Sequence, residues 1–161
     1  MHSYIYELSS DPVLEEDRYS NEDLPSGFCG SIADGTYDVA GEERELAIES
    51  LTLSLGTGCT FENDCLKVFG IVKQHRFTDR FIEFQRAANL LYAMPFEVFS
   101  GQRKSYVFSR AWDSLRNSFE DKYGIYIYWK EQDELMTLDA WLREVDLPKA
   151  FYVGSVIDYR W

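Results

Sequence analysis

Gly124 opens a run of five residues, Ile125-Tyr126-Ile127-Tyr128-Trp129, in which every side chain is aromatic or β-branched. Such side chains lose rotamer freedom in a helix and pack well on a pleated sheet, so a strand is expected near 124–129. Residues 3–8 repeat the chemistry, with Tyr4, Tyr6 and Leu8 alternating with Ile5, and residues 151–159 do so again. Between the last two strands Thr137 is placed to cap a short helix, with Met136 and Trp141 as its hydrophobic staple and Pro148 beyond its end. That connection is long enough for a right-handed crossover between parallel strands. With the strand at 3–8 as third member, the reading is α+β: a small mixed sheet packed with about four to five helices.

The remaining helices are read from spacing and caps. Glu42, Glu43 and Glu45 crowd the first turn of a segment from Gly41 to Gly56, and Ala47, Ile48, Leu51 and Leu55 share one face. Cys65, Val68, Phe69 and Val72 have helical spacing, which predicts a helix over 64–75. Thr78 is expected to cap another, whose apolar stripe is Phe77, Phe81, Phe84, Ala88 and Leu91, ended before Pro95. After Ser100-Gly101 a further helix runs to about Tyr123, with Phe108, Trp112, Leu115 and Phe119 inward. Phe28 to Ile32 reads as a short strand or an ordered turn, and Gly56-Thr57-Gly58 as a turn after a helix. No repeat, low-complexity tract or linker interrupts the chain, so 1–161 is expected to form a single domain with a partly irregular acidic region at about 9–40.

Charge is unevenly distributed. The net value is −12, yet residues 1–64 hold fifteen Asp and Glu against two Lys and Arg, while residues 65–130 hold eleven Lys and Arg against six Asp and Glu. Direct binding to a nucleic-acid backbone is disfavoured by that balance. The chain carries no signal-peptide pattern at its start, no stretch apolar enough to span a membrane, and three cysteines, too few for a disulfide framework. A cytoplasmic protein with reduced thiols is expected.

Catalytic motifs are sparse. Phe28-Cys29-Gly30-Ser31 is similar over three residues to the surroundings of papain-like cysteine nucleophiles, but Ile32 and Ala33 stand where that pattern has a second Cys and a Trp. A thiolate needs a base, and His75 is the candidate, with Asn89 or Asp79 as orienter. A cysteine-dependent hydrolase using Cys29 and His75 is therefore one alternative. Cys59 and Cys65 are too widely spaced for a structural zinc pair, so no metal or cofactor is expected. A second alternative is a small-ligand module in which Tyr4, Tyr6, Tyr126 and Tyr128 share a sheet face and stack a ring.

The favoured expectation is a non-catalytic acidic protein-binding domain, an inhibitor, immunity-type protein or antagonist that blocks a basic partner. The candidate partner-binding residues are Glu15, Glu16, Asp17, Glu22, Asp23, Asp34, Asp38, Glu42 and Glu43. Carboxylates in such an array take the place of phosphates in a cationic cleft and speed encounter through long-range attraction.

Overall fold

In a computed structural model describing residues 1–161, the fold is α+β, with six helices and one mixed sheet of seven strands. In chain order the elements begin with β1 (His2–Ser9), α1 (Phe28–Ser31), β2 (Gly35–Asp38) and α2 (Gly41–Leu55). The hairpin β3 (Cys59–Glu62) and β4 (Cys65–Val68) follows, then α3 (Ile71–Tyr92), α4 (Phe96–Phe99) and α5 (Tyr106–Phe119). The chain closes with β5 (Tyr126–Trp129), β6 (Glu134–Thr137), α6 (Leu138–Glu144) and β7 (Lys149–Arg160). It divides into two compact units, Met1–Lys73 with Lys122–Trp161, and Gln74–Asp121.

The first unit holds the whole sheet, ordered β3-β4-β7-β1-β5-β6. The twelve-residue β7 organises it: β1 runs antiparallel along one edge, while the other edge is shared between β4 at Lys149–Tyr152 and β2 at Ile157–Arg160. The pair β1 and β5 is parallel. The crossover expectation is therefore corrected: β5 and β7 are antiparallel and β1 lies between them, because α6 is followed by a turn back toward the far edge of β1.

Alternation assigns the faces. Tyr6, Leu8, Ile127, Phe151 and Val156 point to one side, where the Tyr6 hydroxyl donates to the Ala47 carbonyl of α2 and the Trp141 ring of α6 lies 5.1 Å from Phe151. Ile5, Tyr126, Ile157 and Tyr159 point to the other, where they bury Phe28 and Ala33. Both layers are closed, the first by helices and the second by the segment between β1 and β2.

Two helix expectations are corrected. Residues 64–75 are not one helix. Leu66 and Val68 are buried with period two on β4, and Asn63 and Asp64 both take positive φ, 52° and 59°, forming the two-residue loop of the β3–β4 hairpin. Thr78 is not a cap either: α3 begins seven residues earlier at Ile71, and the Thr78 hydroxyl donates back to the Gln74 carbonyl inside it. The caps at Thr137 and the stop at Gly56 are as expected, with Thr137 Oγ1 accepting from Ala140 N at 3.2 Å.

In the second unit α3 and α5 run antiparallel. The Arg80 guanidinium donates to the Asn117 carbonyl at 2.9 Å, and the Ser114 hydroxyl to Glu83 at 2.8 Å. Ala87 and Ala111 are buried. Trp112 and Phe119, expected inward, are exposed, because small residues rather than the aromatic stripe make the helix-to-helix contact.

Candidate docking surface

The segment from Ser10 to Asp34 is a cover for the sheet. Apolar side chains recur among its acids, and Tyr19, Leu24, Phe28, Ile32 and Ala33 all join the cluster built on Ile5, Tyr126, Ile157 and Tyr159. Burying those anchors leaves the intervening polar residues outside, since carboxylates are not buried unless paired. Tyr19 stacks on Tyr128 with ring centroids 3.7 Å apart, and burial, then Asp23 and Asp133, push the Tyr19 hydroxyl up to about 12.

Three carboxylates of the chain are buried, Glu7, Asp139 and Asp158, and the first of them anchors this segment. Glu7, fully buried on β1, accepts from the Lys130 ammonium at 2.9 Å and from the backbone N–H groups of Ser155 at 2.9 Å and Tyr19 at 3.1 Å. The Ser155 donor is free because β7 bulges there: Tyr6 faces Val156 and Leu8 faces Val153, so Gly154 and Ser155 together stand opposite Glu7. A Cβ on Gly154 would lie 2.2 Å from Glu7 Oε2, so glycine is what lets the carboxylate in. Lys130 also donates to the Asp17 carbonyl. One ion pair thus pins the covering segment to the sheet.

Farther along, two 3₁₀ turns, Glu15–Asp17 and Asn21–Asp23, carry the acids. Asp23 closes a capping box with Ser20, and the Ser20 backbone and hydroxyl hydrogen bonds hold its carboxyl below the usual range. Asn21 N donates to Asp38 on β2 at 2.9 Å, and Tyr37 on β2 donates to Glu43 on α2 at 3.2 Å. The turn, the edge strand and the first turn of α2 are thereby joined into one surface.

All nine predicted partner-binding carboxylates, Glu15, Glu16, Asp17, Glu22, Asp23, Asp34, Asp38, Glu42 and Glu43, are exposed. None stands in an ion pair: the basic side chains that pair within this unit are engaged by other acids, and Arg18, which lies among these carboxylates in sequence, pairs with none of them. Lys130 is taken by Glu7. Arg44 bonds Asp64 and caps the carbonyls of Val153 and Gly154, in the gap that β2 and β4 leave along β7. Arg160 lies against Tyr37 and Asp158.

The Cys29 sulfur is exposed and sits 3.8 Å from Thr36 Oγ1 in the first unit, while His75 lies on α3 in the second. Tyr4 and Tyr6 lie on the helix-covered side of the sheet, whereas Tyr126 and Tyr128 lie on the other, since the parallel register pairs Ile5 with Tyr126. The four tyrosines therefore share no face. No group of three or more His, Cys, Asp or Glu side chains is gathered as a metal site.

Sequence reading missed a second buried carboxylate, Asp158, which lies 2.9 Å from His2 Nδ1 and accepts from the Tyr37 hydroxyl at 2.8 Å. It ties β1 and β2 to β7, and its spacing of two from Val156, on a strand covered on both faces, is the signal that could have marked it as inward.

No protein-family model, curated protein or solved structure matches the chain.

Proposed function

We propose that the chain is a non-catalytic acidic protein-binding domain, of the inhibitor or antagonist kind, that meets a basic protein through the surface formed by residues 15–23, β2 and the start of α2. One observation carries the reading: nine exposed carboxylates cluster on a fixed scaffold while the paired cations of the same unit are spent on Glu7, Asp64 and Asp158. Charge left uncompensated costs stability through self-repulsion, and a partner's Lys and Arg relieve it. The covering segment is held at Glu7, Tyr128 and Asp38, so little ordering entropy opposes binding. A cytoplasmic setting suits the three unpaired cysteines. No helix is long and apolar enough to cross a membrane.

The test is kinetic. Glu15, Glu16, Glu22 and Asp34 are replaced together by Gln or Asn; Asp23 is spared because it closes the Ser20 capping box. Against the partner captured from the native cell, association should slow about tenfold at low salt and its salt dependence flatten, with the fold unchanged. An unaltered association rate rules the surface out.

A further inference from the structure

We infer that the second unit is a dimerisation module, in which the α3–α5 hairpin packs against the same hairpin of a second copy of this chain. The proposal concerns a surface separate from the acidic one. Helical geometry places two apolar stripes on the same side of the hairpin. On α3 the stripe is Phe77, Phe81, Phe84, Ala88 and Leu91, and on α5 it is Phe108, Trp112, Leu115 and Phe119. Where the stripes meet the α3–α5 connection, Leu91, Met94, Val98, Phe99, Phe108 and Trp112 line an open groove of about 670 Å³.

This face is uncovered. Phe81 is 58% exposed, Phe99 80%, Trp112 54% and Phe119 57%. At roughly 200 Å² for a whole aromatic side chain these four alone present about 500 Å². The half-buried Phe77, Phe84, Leu91, Phe108 and Leu115 bring the face close to the ~800 Å² that each partner contributes to a standard specific interface. An isolated soluble chain rarely leaves a contiguous apolar face of that size in water.

Net charge and the size of the face suit a second copy as the occupant. Residues 74–121 contain seven Lys and Arg and six Asp and Glu, so two copies meet without strong repulsion. The outer border of the α3 stripe is Gln74, Thr78, Gln85 and Asn89, polar and uncharged, while the α5 stripe is bordered by Ser109 and Arg116, and Arg103 and Lys104 also line the groove. A second copy matches apolar face to apolar face across a two-fold axis, which makes the contact self-complementary and closed. Two helical hairpins joined in this way form a four-helix bundle with the aromatic stripes as its core.

Sedimentation equilibrium of the full chain should give twice the 18.8 kDa monomer mass at micromolar concentration. The double variant Phe81→Glu, Trp112→Glu should sediment as a monomer with an unchanged circular dichroism spectrum, since both side chains are solvent-facing in one copy. Leu53→Glu on α2, at a residue 75% exposed but outside the hairpin, should remain a dimer. As a check that needs no variant, dilution of the native chain should speed hydrogen exchange in peptides from α3 and α5 and leave the sheet peptides unchanged. A monomer at all concentrations overturns the proposal, as does a dimer that survives the double variant. A mass that keeps rising with concentration overturns it too, because an isologous contact closes on itself.

Discussion

Glu7 and Lys130 show how one residue pair sets the terms for a whole segment. The carboxylate satisfies a bulge on β7 and the Tyr19 N–H of the acidic cover, and the ammonium neutralises it. Removing one partner of a buried pair leaves an uncompensated charge, which costs more than the intact pair contributes. Lys130→Met should therefore destabilise the protein by about 3 kcal/mol or more in urea unfolding, and protease should then cut the chain between Ser10 and Asp34 first. A loss under about 1 kcal/mol would mean that the backbone donors alone hold the carboxylate. The identity of Glu7 gives no hint of this in the sequence, where it is one acid among fifteen in the first 64 residues. What distinguishes it is position: it sits in an alternating strand, on the same side as Ile5.

At the level of elements, legibility followed length and pattern. The strands rich in aromatic residues, β1, β5 and β7, are plain in the sequence because several consecutive alternations agree with β-branched chemistry. By contrast β2, β3, β4 and β6, which like β5 span four residues each, lack such a run of aromatic and β-branched side chains, and β3 alternates only between partly and fully exposed positions, so periodicity has little to report. The hairpin signal for β3–β4 lay in its loop. Asn63 and Asp64 both adopt left-handed φ, which these two residue types tolerate better than most. Asn63→Ala should cost about 1 kcal/mol by thermal melting, while Asn63→Gly should cost nothing measurable; equal effects would point to a side-chain contact instead. The acidic surface was legible for a related reason, since exposed carboxylates follow from composition alone. Its order was not, because the anchors Tyr19, Leu24 and Phe28 are spaced for a sheet surface that only tertiary contact reveals.

The molecule as a whole carries two surfaces of opposite character on different units, one acidic and one apolar. Because the acids repel one another, salt should stabilise the native chain. Raising ionic strength from ~0.01 M to ~0.15 M shrinks the screening length from about 30 Å to about 8 Å, and the melting temperature should rise by about 2–4 °C. The variant with Glu15, Glu16, Glu22 and Asp34 neutralised should start higher and respond less; an identical slope would place the repulsion elsewhere. The central position of β7 bears on a different moment in the life of the protein. Glu7 and Ser155 bond across 148 residues of chain, and at ribosomal speeds of about 5–20 residues per second β1 emerges roughly 7 to 30 seconds before its partner exists. During that interval Tyr4, Tyr6 and Leu8 stand as a bare sticky strand on the nascent chain. The carboxylates that follow it are then a built-in solubility tag, at work before there is a fold for them to decorate.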